Sequence, residues 1–81
     1  MTTKNTHTIN FPDGTTMTFE TTRTITHVVA IQAGPDTWGM DDGEWGFTFM
    51  TANKTAAFRR AEKERAAYAN TGHTAAEVIA I

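Results

Sequence analysis

The sequence predicts an α+β domain: an antiparallel β-sheet, elements in the order β-β-β-β-α-β, with one amphipathic helix packed on one face. Three observations carry this. Residues 6–22 alternate in period two around Pro12-Asp13-Gly14, a β-branched run from Ile25 to Ile31 stops at Gly34-Pro35, and an alanine-rich segment follows Asn53. A chain of 81 residues has room for one hydrophobic core, so the expected organisation is a single domain, 1–81.

The alternating segment reads as a hairpin. Pro12 and Asp13 suit a type I turn and Gly14 the left-handed position after it, a three-residue loop that pairs Phe11 with Thr15, Ile9 with Met17 and His7 with Phe19. The large apolar residues then share one face. Threonines fill the other, and most of the 17 threonines in the chain fall in this early part, as half-solvated strands require.

Arg23 to Ala33 reads as a third strand whose continuous apolar half, Val28-Val29-Ala30-Ile31, suits a central position covered on both faces. Gly34-Pro35 cannot continue a ladder and ends it. Trp45 to Ala52 resumes alternation, with Trp45, Phe47 and Phe49 on one face and Gly46, Thr48 and Met50 on the other. Asn53 is a good N-cap for a helix reaching Asn70, and Gly72 is placed to end that helix in the left-handed conformation. At 100° per residue Ala57, Phe58, Ala61, Tyr68 and Ala69 share the packing face, with Phe58 as the anchor, while Arg59, Arg60 and Lys63 lie opposite. His73 to Ile81 supplies the last strand, with Val78, Ile79 and Ile81 inward, and it is free to run parallel to its neighbour.

Composition narrows the function classes. Without cysteine there is no disulfide, thiolate nucleophile or sulfur-ligated metal, and without serine there is no serine nucleophile. No catalytic residue and no cofactor site is predicted, and the chain is not expected to be an enzyme. Nowhere do 18 apolar residues run together, and Met1-Thr2-Thr3-Lys4 lacks the pattern of a signal sequence, so the expected location is cytoplasmic. The formal charge of -2 argues against a generic nucleic-acid binder. Five of the seven cations lie between Lys54 and Arg65, while Asp36, Asp41, Asp42 and Glu44 crowd one earlier segment. A two-poled surface is expected.

The acidic segment, Gly34 to Glu44, is longer than a hairpin needs and is the first candidate for contact with a partner. It carries Trp38 and Met40 among Asp36, Asp41, Asp42 and Glu44, and exposed tryptophan and methionine anchor protein interfaces. The other place for Trp38 is folded back over an open end of the sheet. Asp41-Asp42-Gly43-Glu44 lacks the alternate-position ligands of a calcium loop and reads as solvated turn acids. Pro35-Asp36 followed by Glu44 has the start of a metal-nuclease motif but no lysine two residues on. His7, His27 and His73 sit on three different elements without metal-ligand spacing, so no metal site is assigned.

The basic face of the helix, Arg59, Arg60 and Lys63, is the alternative functional surface, suited to phosphates and hence to a nucleic-acid-binding module. Arg60 and Glu64 are spaced for a helical ion pair, and Glu62 can reach Arg65, so part of that face is expected to pair with itself.

Arg23-Thr-Ile-Thr-His-Val-Val29, a tryptophan-containing strand after a polar loop, and the ending of helix, glycine and short Ala-Glu-Val strand together resemble small accessory proteins of actinobacterial phages. The resemblance brings no catalytic residue. It implies a protein that works by binding and blocking or redirecting a host protein, in the cytoplasm of the bacterial host. The expectation is therefore a non-catalytic binding protein that contacts a host or phage protein through residues 34–44, the partner having a basic surface. A homodimer is a further expectation, because a small sheet with one helix leaves an edge or an apolar face that a second copy could cover.

Overall fold

Period-two alternation at the start of the chain becomes strands β1 (Asn5–Asn10) and β2 (Thr16–Thr21), paired antiparallel with Ile9 opposite Met17 and His7 opposite Phe19, the register the turn predicts. The turn has the expected chemistry. Gly14 N–H donates to the Phe11 carbonyl (3.0 Å), Phe11 N–H donates to the Thr15 carbonyl (2.9 Å), and Gly14 has φ of 88°. Asp13 closes it from the side by accepting from both the hydroxyl (2.6 Å) and the N–H (3.0 Å) of Thr15, bonds that hold its carboxyl below the ordinary aspartate range.

The rest of the chain builds a second sheet from β3 (His27–Ala33), β4 (Trp45–Thr51) and β5 (His73–Ala80), in the order β4-β3-β5 and antiparallel throughout. β3 is central, as its apolar run predicts, and its residues Val28 to Ile31 are buried. The computed structural model describes residues 4–81; the reading of Met1-Thr2-Thr3 as lacking a signal sequence falls outside them. The predicted α+β class holds, in the predicted element order.

Several details differ from the sequence reading. β5 runs antiparallel to β3, not parallel to its neighbour. The helix brings the chain back along the sheet before Gly72 reverses it, so the strand that follows opposes β3. The β1–β2 hairpin forms its own two-stranded sheet and lies across a face of the larger one, where Ile9 and Phe11 pack with Ile25, Val28 and Ala30. Residues 23–26 precede β3 as irregular chain, although Ile25 is buried there.

In β4 the expected single aromatic face is split. Val29 pairs with Phe49 and Ala30 with Phe47, so Thr48 is an extra residue and the strand is bulged there. A bulge shifts the alternation by one residue. Trp45, Phe47 and Met50 therefore face the hairpin, whereas Phe49 turns to the other side.

Helix α1 (Lys54–Ala66) covers that other side. The Asn53 side chain caps it by accepting from the Ala56 N–H at 3.0 Å, as predicted. The helix breaks at Ala67, short of the expected Asn70, and a last turn, α2 (Tyr68–Thr71), ends at Gly72 with φ of 77°. The buried residues of α1 are Ala57, Ala61 and Glu64, and Phe58 is 48% exposed, which corrects its assignment as the anchor. The physical reason is the division of volume. Val29, Phe49 and Val78 supply the bulk from the sheet, so the helix presents alanine and approaches closely. In β5 the fully inward residue is Ala76, while Val78 joins the helix-side core and Ile79, with Ile81 just past the strand, the hairpin-side core as half-buried members.

Two stability measurements check this packing. A Cβ at Gly14 meets no neighbouring atom within 4 Å, so the main effect of Gly14→Val is backbone strain at positive φ, and it should lower stability by about 1–3 kcal/mol in thermal denaturation. Ala61→Leu should cost about 1–3 kcal/mol by overpacking the space between α1 and the sheet, and Phe58→Ala about 1 kcal/mol or less. The reverse ranking of these two would place the helix in the wrong phase.

Candidate functional site

The connection between β3 and β4 is anchored at its base and open at its tip. Ala33 continues the ladder to Glu44, donating to its carbonyl at 2.8 Å and accepting from the Gly43 N–H at 2.8 Å. Gly34 N–H points to the Gly72 carbonyl (3.1 Å) and the Thr37 hydroxyl (3.0 Å), and Thr37 N–H returns to the Gly34 carbonyl (3.2 Å). Gly34 and Gly72 are therefore in backbone contact. A Cβ on Gly34 would come within 2.4 Å of the Gly72 carbonyl oxygen, and one on Gly72 within 2.9 Å of Asp36. Thr37 is buried by this approach, and the loop's first four residues are fixed to the end of the helix.

The second half of the loop is a separate turn. Glu44 N–H donates to the Asp41 carbonyl (3.0 Å), and the Glu44 carboxylate accepts from the Asp41 N–H (3.0 Å). Met40 is half-buried over Gly46, whose position admits no side chain without touching the Met40 methyl at 3.2 Å. Between the two anchored parts stands Trp38, 96% exposed. The tryptophan that packs in the core is Trp45, which stacks on Phe11 with ring centroids 6.3 Å apart.

Asp36, Asp41, Asp42 and Glu44 are all exposed, and no lysine or arginine occurs between residues 34 and 44. The structure thus brings together on one loop the six residues singled out there: Trp38 and the four acids outward, Met40 partly inward. The hairpin turn with Asp13 lies toward the same end, since Phe11, just before that turn, rests on Trp45, just after the loop.

The helix face reads differently from its sequence. Arg59 and Lys63 are exposed, but Arg60 is half-buried, its Nε donating to Glu64 at 2.9 Å and its guanidinium lying over the Phe49 ring at 5.4 Å. The expected Arg60–Glu64 pair is present. Arg65 donates to the Ala76 carbonyl at 2.8 Å, across to β5, instead of pairing with Glu62. Arg59, Arg60 and Lys63 therefore do not act as one free cationic stripe.

The histidines do not converge. His27 pairs with Thr51 and Ala80, whereas His73 pairs with Ala33 at the other end of β3. The Nδ1 of His27 meets the Thr26 hydroxyl at 2.8 Å, His7 packs on Phe19, and the Nδ1 of His73 lies 3.9 Å from Glu64. Among the described residues no three His, Asp or Glu side chains group as metal ligands would. No helix among them is long and apolar enough to cross a membrane.

The anchoring of the loop is open to direct test. Gly34→Ala should cost about 2 kcal/mol or more in thermal denaturation, because its Cβ meets backbone that cannot swing aside. An unchanged melting temperature would mean that the loop base is not held against Gly72. Compared with known proteins, the chain matches no family model, no curated protein and no solved structure.

Proposed function

We propose that this chain is a small non-catalytic binding protein, phage-encoded, that acts by occupying the surface of a host or phage protein through residues 34–44. The observation that carries the proposal is Trp38. A tryptophan presents the largest apolar surface of any side chain, and leaving it 96% exposed forgoes stabilisation that burial would supply. Here the exposure is not slack in a floppy segment. The loop is pinned on one side of Trp38 by Gly34, Thr37 and Gly72 and on the other by the Asp41–Glu44 turn. Because the backbone on either side is already anchored, covering the side chain costs the loop little further ordering, and that favours affinity at an anchor residue.

The carboxylates around it set the character of the partner. Four exposed acids with no intervening cation attract a basic surface and repel an acidic one, which favours association rate and specificity. The non-catalytic part of the proposal rests on the absence of serine and cysteine nucleophiles from the chain. The phage origin and cytoplasmic setting belong to the same proposal and rest on the resemblance in sequence.

Capture from a bacterial host lysate, run in parallel with wild-type chain and Trp38→Ala, tests it. The expected outcome is a protein retained by the wild type and weakened by about 2 kcal/mol or more in the variant, with thermal stability of the two nearly equal. Asp41→Asn with Asp42→Asn should mainly slow association at low salt. A drop in melting temperature for Trp38→Ala, with unchanged affinity of the folded fraction, would show that Trp38 serves the fold and would end the proposal.

A further inference from the structure

Among the described residues two aromatic side chains are exposed, Trp38 and Phe58, and they stand in surroundings of opposite charge. Trp38 is flanked by Asp36, Asp41, Asp42 and Glu44. Phe58 lies on the outer face of α1, with the Lys54 ammonium 5.9 Å from its ring. The exposed charges of that helix are Lys54, Arg59, Lys63 and Arg65 against the single acid Glu62, because Glu64 is buried with Arg60. An acidic surface with an aromatic anchor and a basic surface with a half-covered aromatic are thus carried by one chain.

Within one molecule Trp38 and Phe58 do not meet. β4 leads from the loop at Trp45 to Thr51, and its seven residues span about 20 Å before α1 begins at Lys54. The loop and the first turns of α1 are therefore at opposite ends of the larger sheet, in a molecule 43 Å long and 24 Å wide. Two copies laid side by side in opposite directions bring each loop to the other's helix through a single twofold axis.

We propose that, when no other partner holds the Trp38 loop, the basic surface it takes is the outer face of α1 in a second copy, giving an antiparallel dimer with two equivalent loop–helix contacts. This rests on the loop's being the contact surface and names its occupant. Each contact sets Trp38 against Phe58 and Lys54, where an ammonium or guanidinium on an indole face adds a cation–π attraction, and sets Asp41 and Asp42 against Arg59 and Lys63. A stable interface takes about 800 Å² from each partner. The twofold makes each contact twice, so the two together supply that area. The closed arrangement also leaves no unpaired acidic or basic end to recruit further copies, as a head-to-tail chain would.

Sedimentation velocity on the full chain, from about 1 to 300 µM, reads the association directly. The expected result is a dimer that weakens as salt rises. Trp38→Ala, Asp41→Lys with Asp42→Lys, and Lys54→Glu with Arg59→Glu should each raise the dissociation constant about tenfold or more. Mixing the two charge-reversed variants should restore the dimer, because in the mixed pair one contact is native and the other has both partners reversed. A wild-type monomer throughout the range, or a dimer indifferent to all three changes, overturns the second-copy assignment. If the wild type is monomeric yet retains a lysate protein in a Trp38-dependent manner, the occupant is that basic partner and only the dimer falls. If Trp38→Ala alters neither self-association nor capture, the loop is not the contact surface and both proposals fall.

Discussion

The structure depends on one strand being buried on both faces. β3 is laddered to β4 on one side and β5 on the other, so its backbone polar groups are satisfied without water. Its side chains then feed two separate cores. Val28 and Ala30 point toward the hairpin with Ile9, Phe11 and Ile25, while Val29 points toward the helix with Ala57 and Ala61. A strand in this position needs a cover on each side, and a chain of 81 residues has one helix and one hairpin to give. Neither cover forms a stable unit alone, since an isolated hairpin or a helix of this length is marginal in water.

The two covers meet the sheet in different ways, and the difference decides what stays exposed. Helix α1 comes close because it presents alanine, which leaves Phe58 and the cations on its outer side. The hairpin stands off on aromatic residues: Phe11 on Trp45, and Phe19 on Phe47 with centroids 5.8 Å apart. Its outward face is then a row of threonines, Thr8 and Thr18 lying 3.3 Å apart across the strands. Glu64 is the one acid drawn inward on the helix, and it is tolerated because Arg60 reaches over Phe49 to pair with it.

At the loop end, close backbone approach replaces side-chain packing. Gly34 is the first residue of the loop and Gly72 the residue that ends the helical segment, and their contact ties the two excursions of the chain together. That tie is what turns residues 34–44 from a long connection into a platform. The two tryptophans, Trp38 within it and Trp45 just after it, then have opposite fates, Trp45 joining the hairpin-side core and Trp38 projecting into solvent.

Local chemistry determined the parts of this protein that depend on neighbours in sequence. The Asp13-Gly14 turn and its register, the Asn53 cap, the Gly72 stop, the Arg60–Glu64 pair and the doubly covered β3 were all legible, because each is set by backbone dihedral limits, helix spacing or an unbroken apolar run. The composition of the 34–44 loop was equally plain. Its posture was not, since a tryptophan on such a loop can project or fold back over the sheet, and which it does depends on packing by segments distant in the chain. Tertiary structure likewise decided that Phe58 stays out and that Phe49 changes sides. An alanine-rich helix face admits close approach only when the sheet supplies the volume, and a one-residue bulge reverses every side chain beyond it; both depend on segments far apart in the chain.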